Sequence, residues 1–590
     1  MAVKQRHLLA IVLVLMLVVV TACSGNDNGG NNGAKADNDH ANNGAAADNS
    51  AGNDGKNDKP ADTGNNGGNA GNDAAAEPLG KYDPPIEVST VRIINDTYKF
   101  AEGDTIDNNV WYKAYADELG IKIKNDWVVS GDGVGGPGEQ KMNVSIASGD
   151  LPDIIPVNPN QLQQLIDADL VMDMTDVFEK YASPLTKEIM NADGGYAMKS
   201  ASSGGKLMAL PNTGSSMDGA AMIWLRSDWL KKLNLPEPKT MDDVYAIIDA
   251  FTNQDPDGNN KKDTVGIALN KDIMGGYAGL DGFFNAFHAY PGIWFKDASG
   301  KLVNGSVQPE TKAALAKLAE LYKSGQIDKE FGVKDGGKAG ESQGAGKNGF
   351  SFGQMWNPLW PMVSSKDNDP NAEWQSYPLA SVDDQPARPQ VTLAVGGYYA
   401  VNKKAKHPEA AVKLMNLYIE KSFGESSDPN KYGNANGLEV FKYAIELASP
   451  PTKNLDAHKA VTEALKSGDA SKLNPEQTLY YDKISSYLKK ENGTNERWAY
   501  DRVFGETGSF VVIDKYVSEN LLMNNEFYGA PTPTMVSKGS SLKKMELEVF
   551  TKIIMGSSPI DAFDKFVKDW NSVGGEAMTK EVNEWYQAQQ

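Results

Sequence analysis

The sequence predicts an α/β protein whose folded part forms two lobes or more. A strand, a helix and a second strand follow one another near the start of the folded part, and the same alternation resumes beyond Leu210. This order predicts a parallel sheet. From about Lys81 to Gln590 the composition is that of a globular protein, and a chain of roughly 500 residues is too long for a single hydrophobic core.

Hydrophobic spacing places the elements of the first part of the chain. Apolar and polar residues alternate in the predicted strands, whereas apolar residues recur at helical spacing from Ile106 to Leu119 and stop at Gly120. The predicted elements are strands over 87–94, 121–129 and 152–157, and helices over 106–119 and 141–148.

Capping signals and the same spacing place the later elements. Thr240, followed by Asp243, is an N-cap residue with an acid three positions on, which predicts a helix that begins at Met241. Residues 332–349 are rich in Gly and Lys and predict a mobile loop. The other predicted elements are a strand over 264–269 and helices over 310–324, 408–423, 541–555 and 559–573.

The first residues have the layout of a signal peptide. A basic start precedes an apolar run over 8–20, which is too short for a helix that crosses a bilayer, because that takes about 20 residues. The run closes with VTAC at 20–23, which contains the only cysteine in the chain and resembles the lipobox of bacterial lipoproteins. We expect a signal peptide over 1–22 and a lipid anchor on Cys23. An uncleaved or conventionally cleaved signal is the alternative.

Residues 23–80 predict a disordered tether, because they are almost wholly Gly, Asn, Asp and Ala and cannot build a core. A flexible coil of this length reaches on the order of 40 Å, which is enough to hold a folded body clear of a membrane. The whole chain carries a net charge of −20. Such an acidic excess argues against nucleic-acid binding, which needs basic surfaces.

The sequence gives only weak signals of three common enzyme motifs. Residues 131–136 fit G-x-G-x-x-G, but the match follows the second strand and Pro137 crowds the helix start, so it is a weak signal of nucleotide binding. Residues 349–353 fit G-x-S-x-G, but a Gly/Lys-rich segment precedes Ser351 instead of a buried strand. The chain has five histidines and no H-E-x-x-H, so zinc hydrolysis lacks its ligands. A glycosidase stays an alternative, since its two acids are paired only in three dimensions.

Residues 255–263, DPDGNNKKD, have the spacing of a calcium-binding loop, in which oxygen ligands at alternate positions wrap a hard cation. Position twelve is Gly266 instead of the bidentate Glu of a full EF-hand, and Asn260 stands where Gly usually makes the turn. A solvated turn is the alternative. The expected ligands of a structural Ca²⁺ are Asp255, Asp257, Asn259, Lys261 through its carbonyl, and Asp263.

A series of blocks in constant order resembles the family 1 extracellular solute-binding proteins, the relatives of maltose-binding protein that serve ABC importers. The first is ASGDLPDIIPVNPNQL at 147–162, and the last is GAPTPTM at 529–535. Between them lie GGKLMALPNTG at 204–214, WLRSDWLKKLNLPEPKT at 224–240, ALAKLAELYKSGQIDKEF at 314–331 and GGYYAVNKKAKHPEAAVKLMNLY at 396–418. With the lipobox and the calcium-type loop, the chain is similar to the large Gram-positive and alginate-binding members.

The resemblance implies a two-lobed periplasmic-binding-protein type II fold with a ligand cleft between the lobes. The N-terminal lobe would comprise 81–211 and 395–528, and the C-terminal lobe 212–394 and 529–590. The implied function is a lipid-anchored receptor on the outer face of a Gram-positive cell membrane, a monomer that closes on an oligosaccharide and delivers it to a permease. No catalytic residue is expected. A secreted carbohydrate-active enzyme, hydrolase or lyase, and a receptor for a peptide or signalling ligand are the alternatives.

The candidate ligand contacts are aromatic and planar polar side chains, which suit the apolar faces and hydroxyl rims of sugars. Trp356 and Trp360 look like the sugar-stacking tryptophans of the family, although a core position is the alternative for each. The other candidates follow predicted strands, where ligands of α/β sheets bind, and turn chemistry is the alternative for the Asn and Asp residues. They are Asn158, Asn160, Asp96, Tyr98 and, more weakly, Tyr398.

Overall fold

The computed structural model describes residues 77–589 except 96–97, 132–135 and 436–437. These residues belong to one compact unit, Gly68–Gln590. Helices and strands are mixed along this unit, which confirms the predicted α/β class. The predicted signal peptide, Cys23, Asp96 and nearly all of the predicted tether lie outside the described residues.

The strands and helices follow one another along the whole described chain. The strands are Ile86–Ile94, Ile121–Ser130, Ile154–Val157, Ser202–Ser203, Lys206–Leu207, Ala209–Thr213, Met222–Arg226, Trp294–Lys296, Leu302–Asn304, Phe350–Gly353, Trp374–Tyr377, Gln390–Val391, Val395–Val401, Asn434–Ala435, Leu438–Glu439 and Met523–Asn524. The α-helices are Val110–Ala114, Pro137–Ser148, Pro159–Asp167, Thr175–Tyr181, Pro184–Asn191, Tyr196–Ser200, Ser227–Leu233, Met241–Asn253, Asp281–Ala286, Pro309–Lys323, Gly336–Gly344, Val363–Asn368, Glu409–Phe423, Pro429–Tyr432, Lys453–Ser467, Pro475–Leu488, Glu496–Phe504, Ser509–Ser518, Pro533–Ile554, Ala562–Trp570 and Glu576–Ala588.

The first two strands form the parallel pair that the sequence predicts, and the short strands Gln390–Val391 and Met523–Asn524 are parallel too. Ile86–Ile94 runs parallel to Ile121–Ser130, with a register shift after Thr90. The next sheet places Val395–Val401 between Ile154–Val157 and Ala209–Thr213, antiparallel to both. The central strand of this sheet therefore comes from much later in the sequence than the two strands beside it.

A second three-stranded sheet is entirely antiparallel. Met222–Arg226 lies at its centre between Phe350–Gly353 and Trp374–Tyr377. Every residue of the central strand is buried, so both faces of the strand are covered by other elements. The parallel pairing predicted for the first strands does not extend to this part of the molecule.

Capping chemistry predicts helix starts well. The Thr240 hydroxyl accepts from the backbone N–H of Asp243, whose carboxylate accepts from the N–H of Thr240, and the helix begins at Met241 as expected. Two predictions are wrong. The Gly-rich stretch 332–349 contains the helix Gly336–Gly344, capped by Asp335. The segment 264–269 is not a strand but makes isolated bridges from Val265 and Ile267.

The buried apolar side chains form separate cores. One joins residues 82–210 with residues 398–448, and a second joins 223–387 with 527–582. A third core unites the helices between 453 and 518 with Trp224 and Trp374 of the antiparallel sheet. That helical segment therefore shares its core with the strands placed in the C-terminal lobe, while the lobe boundaries themselves stay a prediction.

The described chain begins packed against a helix. Lys413, which is fully buried, donates to the carbonyls of Glu77 and Gly80, and Asn416 donates to that of Pro78 at 2.9 Å. Burial lowers the pKa of Lys413 to about 8. None of the helices described between residues 77 and 589 has both the length and the apolar character of a membrane span.

Candidate functional site

Three cavities adjoin one another along the strand Gln390–Val391. The largest, about 570 Å³, and the next, about 300 Å³, are both lined by Gln390 and Thr392. A third cavity of about 210 Å³ shares Ser216 and Val391 with the cavity of 300 Å³. Because neighbouring cavities share lining residues, they lie side by side, and together they are called the groove below. Its size is that of a site for a small organic ligand.

Hydrogen bonds hold the base of the groove in place. The side-chain amide of the buried Asn285 donates to Gln390 Oε1 at 2.9 Å and accepts from the Gln390 backbone N–H at 2.8 Å. The N–H of Ala394 donates to Ser216 Oγ at 3.1 Å. The chain segments at two of the predicted lobe boundaries meet beside the groove, because Thr213 pairs with Val395.

Trp356 and Trp360 form a parallel pair beside the groove. Their ring centroids are 6.3 Å apart and their planes differ by 16°. The indole N–H of Trp356 donates to Gln354 Oε1 at 2.7 Å, and Gln354 lines the groove. The pair therefore adjoins the groove through Gln354. Trp360 is 41% exposed, so it is not a core residue.

The ring of Trp360 is held from behind by close contacts. Tyr277, itself buried, meets it edge to face with centroids 5.2 Å apart. Gly340, in the helix Gly336–Gly344, lies so close that a Cβ there would come within 2.6 Å of the indole. Gly340 is thus required here because the Trp360 ring leaves no space for a side chain at this position.

Carboxylates dominate the charged lining of the groove. Asp281 and Glu546 line the largest cavity, and Lys543 lies there too. Asp281 accepts from the backbone N–H of Gly275 at 2.7 Å, and burial raises its pKa. Burial also raises the pKa of Glu546, to about 7.

Aromatic side chains at the third cavity were not predicted from the sequence. Tyr196 and Tyr528 line it and meet edge to face, with centroids 5.0 Å apart. Tyr528 in turn meets Trp585 at 4.8 Å. Tyr528 directly precedes the GAPTPTM block, which is the one sequence signal that could have drawn attention to it.

Two of the other predicted ligand contacts lie at the start of the helix Pro159–Asp167. Asn158 caps the helix Pro159–Asp167 in a reciprocal box with Gln161, and Asn160 is exposed on its first turn. Asn158 therefore serves as a helix cap, and a part for it in ligand binding stays a prediction. Asp96 lies outside the described residues.

The two predicted tyrosines, Tyr98 and Tyr398, belong to the core that joins residues 82–210 with residues 398–448 or pack against it. The ring of Tyr98 lies 6.5 Å from that of Tyr443. Tyr398 is 5% exposed and donates to Ser200 Oγ at 3.0 Å. It lines a small separate cavity of about 30 Å³ with Ala530. A part for either tyrosine in ligand binding stays a prediction.

The loop 255–263 brings its oxygen-bearing side chains together. Asn259 Nδ2 donates to Asp257 at 2.6 Å and to Asp263 at 3.1 Å, and Asp255 accepts from the N–H of Asn260 at 3.0 Å. Asn260 has φ +60°, so it makes the turn that Gly makes in an EF-hand. Lys261 follows, and its N–H donates to Asn259 Oδ1 at 2.8 Å.

The surroundings shift the pKa values of two carboxyl groups in this loop in opposite directions. Partial burial and the neighbouring carboxyl of Asp255 raise the pKa of Asp257, whereas a hydrogen bond from Lys347 lowers the pKa of Asp263. A Cβ at Gly266 would lie 2.6 Å from the carbonyl of Ile248, so packing leaves no room for a Glu at position twelve. In the part of the chain that the structure describes, no three His, Cys, Asp or Glu side chains form a metal-binding group.

The serine of the G-x-S-x-G match lies inside the strand Phe350–Gly353, opposite Trp224. Ser351 is fully buried, and its Oγ is 3.4 Å from Gln343 Nε2. A catalytic serine must meet its substrate at the tip of a turn. Ser351 does not have that geometry. The glycine motif at 131–136 falls largely outside the described residues.

Comparison with known proteins gives consistent matches. The profile of the bacterial extracellular solute-binding protein family matches residues 100–422. The polygalacturonan/rhamnogalacturonan-binding protein YtcQ of Bacillus subtilis is 24% identical over 455 residues, covering 76% of this chain and 82% of YtcQ. Lipoprotein LipO of the same organism is 24% identical over 492 residues, covering 81% and 88%.

Solved structures share the fold. The substrate-binding protein FusA of Streptococcus pneumoniae, in complex with kestose, aligns with a TM-score of 0.57 at 18% identity over 86% of this chain and all of FusA. The alginate-binding protein AlgQ2 without calcium ion gives a TM-score of 0.57 at 18% identity over 86% of this chain and 98% of its own. The fold is that of the two-lobed type II sugar-binding proteins.

Proposed function

This chain belongs to the bacterial extracellular solute-binding protein family, and we propose that it captures an oligosaccharide and delivers it to the permease of an ABC importer. The relatives YtcQ and FusA are named for saccharide ligands. The observation that carries the proposal is the stacked pair Trp356 and Trp360, which is partly exposed and is joined to the groove lining by the hydrogen bond of Trp356 to Gln354. Flat aromatic faces of this kind bind the apolar faces of sugar rings.

The mechanism needs binding but no bond cleavage. A ligand in the groove would touch residues of both halves of the fold, such as Gln354 and Tyr196, and would favour the closed form by its additional contacts there. The permease would then recognise the closed shape. We propose that the protein works as a monomer and not as an enzyme.

An acyl chain on Cys23 would keep the receptor at the outer face of the cell membrane, and LipO, a relative, is itself a lipoprotein. The residues before the folded body would then act as the tether. The test is expression of the full chain in a Gram-positive host with Cys23→Ser as the variant. The native chain should sediment with membranes and incorporate labelled palmitate, whereas an unlabelled native chain would contradict the anchor.

Binding and catalysis are separated by one set of incubations. The folded body from residue 77 should give heat on titration with a neutral fructo-, galacto-, gluco- or manno-oligosaccharide, and the same mixtures should release no new reducing ends. Release of reducing ends with turnover would favour the enzyme alternative. Heat from peptides and from none of the saccharides would favour a peptide receptor.

We further propose that the loop 255–263 holds a structural Ca²⁺. Asp255, Asp257, Asn259, the carbonyl of Lys261 and Asp263 would supply its oxygen ligands. Burial and, next, the neighbouring carboxyl of Asp255 raise the pKa of Asp257. A cation bound there would relieve the repulsion between these two carboxyls. Every ligand comes from one loop, so the ion would stabilise the fold and take no part in ligand binding.

The calcium proposal is tested by thermal unfolding. Calcium should raise the melting temperature of the chelator-treated protein by about 2 °C or more, because it binds only the folded loop. The double variant Asp255→Asn with Asp257→Asn should lose this response, and magnesium at the same concentration is the control ion. An identical melting temperature of the native chain with calcium and with EDTA would rule the site out.

A further inference from the structure

The groove has an unbalanced charge. Among its described lining residues, the acidic side chains outnumber the single lysine, Lys543. The acidic residues are Asp193, Asp272, Asp281, Glu526 and Glu546. No arginine lines any of the three cavities within the described chain.

Few of these carboxylates form a salt bridge with a cation of the protein. Glu526 pairs with Lys296 at 3.4 Å, but the salt bridges found among the described residues do not include the other four. Asp193 accepts from the backbone N–H groups of Gly195 and Ala197 at 2.9 and 2.8 Å. Asp281 likewise accepts from a backbone N–H, that of Gly275. Cations of the protein therefore offset only part of this charge, through Lys296 at Glu526 and Lys543 near Glu546.

We propose that the groove selects neutral saccharides and rejects those that carry carboxylates, an inference that rests on the proposed function. A uronate sugar would bring its own negative charge next to Asp281 and Glu546, two partly buried acids whose charges water screens less than those of exposed groups. Proteins that recognise carboxylates use arginine or lysine at the contact. A neutral sugar needs only hydroxyl partners, which carboxylates and amides supply.

The burial of these two acids adds to the argument. Burial already raises the pKa of Asp281 and of Glu546, so their charged forms are held at some cost before any ligand arrives. A second anion beside them would raise that cost further. A cationic group would lower it.

The test compares two derivatives of one sugar with opposite charges. Calorimetry first finds which of the neutral fructo-, galacto-, gluco- and manno-oligosaccharides bind. The C6-carboxylate and the 6-amino-6-deoxy derivative of the tightest binder are then titrated at about pH 8, where Glu546, with a pKa of about 7, is mostly ionised. We expect the amine to bind at least about tenfold more tightly than the carboxylate, because groups of similar size differ there mainly in charge.

Variants locate the origin of the difference. Asp281→Asn together with Glu546→Gln should reduce the ratio of the two affinities, while Asp169→Asn, an exposed acid whose backbone has φ +56°, should leave it unchanged. Melting temperatures verify that each variant folds. A carboxylate derivative that binds as tightly as the amine would overturn the charge selection and leave the proposed function intact. Binding of an oligogalacturonate but of no neutral oligosaccharide would likewise overturn the charge selection and leave the proposed function intact, whereas absence of binding by neutral and acidic oligosaccharides alike would overturn the proposed function.

Discussion

The tryptophan pair and the end of the first sheet differ in how the fold uses their side chains. The sheet end is defined by Asn158 and Tyr398. Both side chains make their hydrogen bonds within the protein, with Gln161 and Ser200. Trp360 makes close contacts on one side and stays 41% exposed. A side chain whose bonding capacity is used internally stabilises the fold, whereas one that is held firmly but left open is available to a ligand.

Rigidity is the second part of this contrast. Tyr277 and Gly340 fix the indole of Trp360 before any ligand binds. Ligand binding then costs little free energy for ordering the ring, so the contact contributes more to affinity. The comparison therefore predicts a large effect on affinity at the tryptophans and effects on stability alone at the sheet end.

The largest effect is expected from Trp360→Ala. Removing the exposed ring should lower the affinity for the preferred neutral oligosaccharide by about 30-fold, which corresponds to about 2 kcal/mol of lost apolar and stacking contact. Calorimetry gives the dissociation constant. Trp127→Ala, which removes a partly buried tryptophan of the strand Ile121–Ser130, is the control and should keep native affinity. Equal affinities of the two variants would remove the tryptophan pair from the site.

The next effect tests the support behind the ring. Gly340→Ala would place a Cβ within 2.6 Å of the Trp360 ring, which must then tilt. We expect about a tenfold loss of affinity, or about 1.4 kcal/mol. Gly336→Ala in the same helix is the matched control, because its Cβ would meet nothing closer than 3.6 Å. If both variants bind like the native chain, the ring is not prepositioned by this contact.

The third effect is confined to stability. Asn158→Ala should lower the free energy of unfolding by about 1 kcal/mol through the loss of a helix cap, and should leave affinity unchanged. Asn474 caps the helix Pro475–Leu488 in the same reciprocal box with Gln477, so Asn474→Ala is a close control. Urea unfolding compares the two. A loss of affinity in Asn158→Ala alone would show that Asn158 contacts the ligand and would break the comparison.

The fold could be predicted from the sequence where local signals decide it. The box of Thr240 and Asp243 marked a helix start, and the parallel pair of the first two strands followed from their spacing. Glycine content misled the prediction for 332–349, because Gly340 is required by contact with Trp360 and not by flexibility. The antiparallel sheet around Met222–Arg226 depends on partners more than 100 residues away, which no local pattern reports.

The site could be predicted only in part. Trp356 and Trp360 stood out because aromatic residues four positions apart share a segment that resembles the family's sugar-binding one. Gln390, Asp281 and Tyr528 come together at the groove from distant parts of the chain, so their convergence is a product of tertiary structure. Asn158 was a plausible candidate by position alone, but the position also suits a helix cap.

The smallest effect sharpens the contrast at Tyr398. Tyr398→Phe removes the hydroxyl that donates to Ser200, but Ser200 keeps its own bond to the carbonyl of Ala197 at 2.7 Å. Because no donor is left unpaired, we expect a loss of only about 0.5 kcal/mol in the free energy of unfolding and no change in affinity. Calorimetry and urea unfolding measure both quantities. A measurable loss of affinity with unchanged stability would mean that the hydroxyl leaves Ser200 for the ligand, and the sheet end would then join the tryptophan pair as part of the binding site.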